Sequence, residues 1–277
     1  MAGSRRERIL ILCKTYPSPS EKHTETSCVA GMLENGSLIR LFPVPFRLIR
    51  DGQQFKKWQW ISAQIYRAND DRRPESHKIY VDTIQLEGPP LSPKRNWEAR
   101  RRELNKLRVF SGFVPLDQSR ESEETTLGLV RPSKIAGLDI TPVDSPDWTA
   151  DELKKLVQRQ QQGGLFDDED AGAIRTLRKL PFAFHYRYEC EVDGEVHTHR
   201  HKIADWEAGA LFWNCRQQHG DNWEAPFREK LEQKLPAADL MFLMGTIHRF
   251  PDQWLIVSLV YPPREAFGSM KQTELAF

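Results

Sequence analysis

The stretch A-F-H-Y-R-Y-E-C-E-V-D-G-E-V-H-T-H-R-H-K-I, residues 183–203, decides the reading of the fold. Two runs, Ala183–Glu191 and Glu195–Ile203, flank Asp193-Gly194, a strong short-range hairpin signal. A two-residue turn there sets the register. Val192 faces Glu195, Cys190 faces His197, Tyr188 faces His199 and Tyr186 faces His201. Because side chains alternate along a strand, Phe184, Tyr186, Tyr188, Cys190, His197, His199, His201 and Ile203 share one face. His185, Arg187, Glu189, Thr198, Arg200 and Lys202 take the other.

The aromatic and imidazole face has three uses. It packs on a neighbouring helix with the histidines at its rim, it offers a platform on which bases stack while Arg and Lys hold phosphates, or it binds a metal. Histidines at i, i+2 and i+4 opposite a cysteine are suitable Zn²⁺ donors, although their spacing matches no zinc-finger pattern. Asp205 and Glu207 follow directly. With His197, His199 and His201 they would suit Mg²⁺ or Mn²⁺ in phosphodiester cleavage. Their plainer use is an Asp N-cap with a Glu in the first turn, starting a helix that runs to about Gln217.

Outward from the hairpin, Pro226–Lys234 reads as a short helix, and Leu240–Ile247 with Trp254–Tyr261 as a last strand pair. Upstream, Arg8–Lys14 is a buried-strand run, and Ser27–Met32 and Leu38–Phe42 flank the turn signal Asn35-Gly36. Trp60–Arg67 and Ile79–Leu86 alternate, which makes about five short strands before residue 90. That number suits a small barrel such as an OB-fold. Asn96–Arg108 reads as a helix, Leu127–Ile140 as two strands broken near Pro132, and Ala150–Gln161 as a polar helix. Gly163-Gly164 and the acidic run Asp167–Asp170 mark a linker. The expected architecture is mainly β (α+β), with two OB-like barrel units and helical insertions. The units are residues 1–145 and 181–265, with a linker over 146–180 and a tail over 266–277.

Composition narrows the function. Lys and Arg total 40 against 39 Asp and Glu, so the chain has no histone-like coat of charge, though a local basic groove is compatible with that balance. No apolar run approaches the roughly 20 residues that span a bilayer. Four widely spaced cysteines without a C-x-x-C pair point to a reducing cytoplasm. There is no G-x-S-x-G elbow, no G-x-G-x-x-G and no Walker motif. Cys28 and Cys215 stand in contexts that suit buried structural cysteine.

Basic and aromatic residues interleave between the third and fourth strands: Arg40, Arg47, Arg50, Lys56, Lys57, Trp58 and Trp60. Lys14 opens a hydroxyl-rich loop after the first. This mixture suits backbone charge neutralisation plus base stacking. The chain ends Gln272-Thr273-Glu274-Leu275-Ala276-Phe277, a Q-x-x-L-x-F pattern like the motif that docks bacterial polymerases and repair proteins on the DNA sliding clamp. Gln272, Leu275 and Phe277 would make that contact. Gln162-Gly163-Gly164-Leu165-Phe166 is a weaker partial match.

Several phrases together resemble a poorly characterised bacterial family described as having dual OB-fold domains. They are K-T-Y-P-S-P-S (14–20), E-T-S-C-V-A-G (25–31), I-R-L-F-P-V-P-F-R (39–47), F-K-K-W-Q-W-I (55–61), R-P-E-S (73–76), H-K-I-A-D-W-E (201–207) and W-L-I-V-S-L-V-Y-P-P (254–263). The resemblance implies two barrel-like units and a role with nucleic acid in defence against mobile elements, and it brings no catalytic residues. The expected function is nucleic-acid binding, DNA rather than RNA, without catalysis, cofactor or membrane. Lys14, Arg40, Arg47, Lys56, Lys57, Arg187, Arg200 and Lys202 would hold phosphates, and Trp58, Tyr186, Tyr188 and His199 would stack bases. The alternatives are a metal-dependent nuclease at His197, His199, His201, Asp205 and Glu207, and an adaptor hooked to the clamp by its tail.

Overall fold

The computed structural model describes residues 3–17, 26–151 and 178–264. The first unit contains β1 (Arg5–Lys14), β2 (Ser27–Leu33), β3 (Leu38–Val44), β4 (Trp60–Arg67), β5 (Ser76–Ile79) and β6 (Gln85–Glu87). Asn35 and Gly36 close the β2–β3 hairpin, Gly36 with φ of 87°, as its turn signal requires. The pairing runs β1-β2-β3-β5-β4, and β4 pairs back onto β1, so five strands close into a barrel. The β3–β5 contact is parallel and the others are antiparallel. The strand expected over 79–86 is two short ones, separated by a 3₁₀ turn at Val81–Thr83.

β1 shows how the barrel attaches to the rest. Ile9, Ile11 and their barrel neighbours point into the barrel, whereas Leu10 and Leu12 point out and are equally buried. A strand buried on both faces needs a cover on its outer side, and the second unit supplies it. Leu10, Leu12, Trp58 and Trp97 pack with Leu127, Leu129, Met241, Leu243 and Val257 in one cluster.

The second unit is a seven-stranded sheet of β7 (Val109–Phe110), β8 (Leu127–Val130), β9 (Lys134–Pro142), β10 (Phe182–Val192), β11 (Glu195–Ile203), β12 (Met241–Ile247) and β13 (Phe250–Val260). Its order is β7-β8-β12-β13-β11-β10-β9. β8 and β9 are consecutive in the chain yet five strand spacings apart in the order, about 24 Å on a flat sheet. The link from Val130 to Lys134 spans at most about 15 Å. The sheet must therefore roll, and Phe242 of β12 indeed stacks on Tyr186 of β10 across its interior, ring centroids 5.5 Å apart. The two strands expected over 127–140 with the first unit pair in this sheet instead, as does β7. All four residues of β8 are buried because both its faces are covered, Leu127 and Leu129 by the cluster shared with the barrel and Val130 by the sheet's own core, while β7 and β12 pair its edges.

Helices cover the roll. α1 (Lys94–Leu104) begins with a left-handed turn at Arg95–Trp97, φ 51–62°. α2 (Phe113–Glu123) was not apparent in the sequence, because only Leu116 and Ser119 on it are buried. α3 (Trp206–His219) starts at an Asp205 N-cap whose carboxylate accepts from the Glu207 N–H at 2.9 Å. α4 (Glu224–Arg228) runs on as a π-helical stretch, Glu229–Lys234. The connection from β9 to β10 is drawn together at its base, where Val143 N–H donates to the Pro181 carbonyl at 3.0 Å. The polar helix expected over 150–161, the acidic run, the Gln162–Phe166 match and the clamp-like tail lie outside the described residues, apart from the first two positions of that helix.

Candidate nucleic-acid interface

The β10–β11 register is the one expected, with Tyr186 opposite His201, Tyr188 opposite His199 and Cys190 opposite His197. The inner face is core. Tyr186 and Tyr188 are 0 % exposed, packed on Phe242, and the Tyr186 hydroxyl donates to the Leu231 carbonyl at 2.7 Å. Neither ring has a free face for a base. Trp58, also expected to stack, is buried against Trp97, with the Arg100 guanidinium 5.1 Å from its ring. His199 is half-buried between Tyr188 and Phe113. Phe113 also lies 4.4 Å from His201, whose Nδ1 is hydrogen-bonded to the Tyr188 hydroxyl at 3.0 Å. Burial lowers both imidazoles, that of His201 to about 4.

The carboxylates expected beside these histidines are occupied elsewhere. Asp205 is buried and accepts from the N–H groups of Glu207 and Leu259, with the Lys57 ammonium at 3.8 Å. Burial pushes its carboxyl up, against the pull of Lys57. Glu207 pairs with Lys57 at 2.9 Å. Among the described residues no group of three His, Cys, Asp or Glu is arranged to hold a metal ion.

Several expected phosphate ligands are also internal. Arg40 is 2 % exposed and donates to Thr126 Oγ1 at 3.1 Å and to its carbonyl at 2.9 Å. Lys57 donates to the Leu259 carbonyl at 2.8 Å as well as to Glu207. Both residues tie the barrel to the second sheet. Lys14 sits 3.5 Å from the centroid of Phe46 and 5.2 Å from that of Trp206, and burial lowers its ammonium to about 8. Arg47 is half-buried and Lys56 exposed. The phrases that carry the resemblance therefore meet along the seam: Lys14, Arg40, Lys57, Trp58, Asp205 and Glu207 all bond or pack there.

The outer face of β10 and β11 keeps Arg187, Arg200 and Lys202 exposed. Two of these are not free cations. Asp139 of β9 takes Arg187 at 2.9 Å and Arg200 at 2.7 Å, and its hydrogen bonds to Arg200 and Arg187 hold its carboxyl below the usual range.

A second basic surface was missed in the sequence. Where β10 begins, Trp148, Arg178, Lys179, Phe182, Trp213 and Arg216 line a groove of about 570 Å³. Lys179 lies 5.0 Å from the Trp148 ring and Arg178 5.4 Å from Trp213. Trp213 Nε1 donates to the Tyr16 hydroxyl at 3.0 Å, which donates to the Arg178 carbonyl at 2.7 Å, so Trp213 and Arg178 are positioned together by β1's exit loop. Buried Phe212 and Trp223 back the groove, while Trp148 and Trp213 are half-exposed. A smaller hollow of about 360 Å³, bounded by Arg178, Trp213, Arg216 and Gln217, adjoins it. The contributors are scattered over seventy positions, and no local spacing joins them.

A closed five-stranded barrel seated on a rolled seven-stranded sheet, with a cation-and-indole groove at the start of one strand, defines a mainly β two-unit protein. No helix among its described residues is long and apolar enough to cross a membrane. Residues 114–276 match a domain of unknown function, DUF8757, and the chain belongs to that family. Residues 5–106 match a second domain of unknown function, DUF8758. Those limits follow the division between barrel and rolled sheet. No curated protein matches the chain.

Proposed function

We propose that the protein binds nucleic acid, single-stranded or structured DNA, in the groove of Trp148 and Trp213, without intrinsic catalysis. The observation that carries this reading is the pairing of each half-exposed indole with a cation, Lys179 on Trp148 and Arg178 on Trp213. Binders of single strands combine aromatic faces, on which unstacked bases lie, with Arg and Lys along the backbone path. A guanidinium plane is itself a surface for a base. Duplex bases already stacked on one another have no face to offer, so an open strand is the form the groove suits. The closed five-stranded barrel, with β3 parallel to β5, supports the same reading, because OB-folds are five-stranded barrels that bind oligonucleotides. Exposed Lys202, beside the Asp139-paired Arg187 and Arg200, offers a further contact for the backbone. The role in defence against mobile elements rests on the resemblance alone.

The test is a titration of oligodeoxythymidylate, duplex DNA and RNA at two salt concentrations. Trp148→Ala should weaken single-strand binding by about 1–3 kcal/mol, the usual contribution of one stacked base. Arg178→Ala should weaken it and flatten the dependence on salt. Binding indifferent to salt, or none at low salt, would sink the proposal.

A further inference from the structure

The link that rolls the sheet also shapes a second concavity. Arg131 ends β8's exit, Lys134 begins β9, and between them the chain turns at Pro132-Ser133. With Arg101 of α1 and Arg264 after β13, these residues bound a groove of about 580 Å³. Four cations converge from three segments that are distant in sequence, Arg101, Arg131 with Lys134, and Arg264, and Asp239 is the one carboxylate among the described lining residues. An excess of this size inside a concavity focuses potential and favours an anion.

The cations are held in place. Asp239 grips Arg131 through both oxygens, at 2.9 and 3.0 Å. Arg264 donates to the carbonyls of Ala238 at 3.3 Å and Pro236 at 3.2 Å, and Arg101 donates to that of Pro263. The two carbonyls orient the Arg264 guanidinium without cancelling its charge. The walls on these three sides are Pro132, Pro236 and Pro263, whose φ is fixed by their rings, so little ordering remains to be done on binding. Lys134 reaches the rim and meets Glu189 at 3.1 Å.

We propose that this groove is a binding site for phosphate groups. A guanidinium fork matches the paired oxygens of a phosphate, and Arg264 facing Lys134 and the Asp239-held Arg131 across the groove places donors for more than one phosphate oxygen. The phosphates belong either to the backbone of a bound nucleic acid or to a free nucleotide or polyphosphate. The site shares no residue with the Trp148 groove and does not depend on it.

The experiment is calorimetric titration of the full chain with tripolyphosphate, then with oligodeoxythymidylate, at two salt concentrations. The proteins are the wild type, the double variant Lys134→Ser/Arg264→Ser, and Trp148→Ala. Both residues changed in the double variant are exposed, and circular dichroism confirms the fold. Tripolyphosphate should bind the wild type and Trp148→Ala equally and the double variant at least about tenfold more weakly. Equal affinity for wild type and double variant, or no binding at low salt, would overturn the site. If oligonucleotide binding also loses about 1.4 from its salt slope in the double variant, as two lost single-strand phosphate contacts require, the backbone is the source. An unchanged slope, with tripolyphosphate binding weakened, assigns the site to a free phosphate ligand. Failure of the tryptophan groove would show separately, as oligonucleotide affinity untouched by Trp148→Ala.

Discussion

His201 is kept neutral by burial between Phe113 and the Tyr188 hydroxyl, with His199, His185 and Asp117 as the ionisable groups acting on it. Its folded value of about 4 lies below the ordinary imidazole value, so the unfolded chain takes up a proton first as pH falls. The stability this represents is present above about pH 6.5 and is lost between there and pH 4, up to about 3 kcal/mol. Urea unfolding at pH 7 and pH 4.5 should show a smaller loss for His201→Phe than for the wild type. Equal losses would mean that His201 is not the titrating group. The same residue shows what a sequence can and cannot reveal. Alternation and the Asp193-Gly194 turn place Tyr186, Tyr188 and the histidines on one face correctly. Which face is covered depends on Phe242, Leu231 and Phe113, remote residues that no local pattern connects to the hairpin. Tyr186 and Tyr188 are thus core residues, not a stacking platform.

Among the elements, α3 has the most dependent start. Asp205 caps it, accepts from Leu259 of β13 and faces buried Lys57 of the barrel. Asp205→Ala removes a cap worth about 1 kcal/mol and leaves an ammonium short of charge, for a total loss of about 3–5 kcal/mol. Lys57→Met added to Asp205→Ala should recover part of it. Chemical unfolding of the two variants measures this, and a double variant no more stable than the single one would refute the coupling. The cap was readable because Asp before an apolar helix is a local signal. α2 was not, since its two buried residues form no stripe. β5 and β6 blurred into one strand because the intervening turn, Val81–Thr83, has no Gly or Pro to announce it. The Trp148 groove was hidden for a related reason: it is assembled from the connection after β9, the start of β10 and one side of α3.

At the scale of the whole molecule, barrel and sheet share an apolar cluster. Leu10 and Leu12 on one side meet Leu129, Leu243 and Val257 on the other. Separating the units would expose these side chains and strand Arg40 and Lys57 away from Thr126 and Glu207. The chain should therefore unfold in one calorimetric transition, and residues 5–106 made alone should not give a folded, monomeric barrel. Two resolved transitions would count against the shared core. The five-stranded count was close to readable from turn signals, but the allegiance of β7–β9 was not, because strand order is decided by pairing across a hundred residues. One further consequence lies in the β9–β10 connection. Its two arms are clasped at Val143 and Pro181, and again where Lys179 donates to the Asp147 carbonyl at 3.1 Å. Whatever length of chain lies beyond the clasp adds only about 0.6 kcal/mol of closure entropy for each doubling. The clasp is thus a splice point: a foreign domain grafted there would leave the sheet paired, and its tether would emerge beside Trp148, close enough to report what occupies the groove.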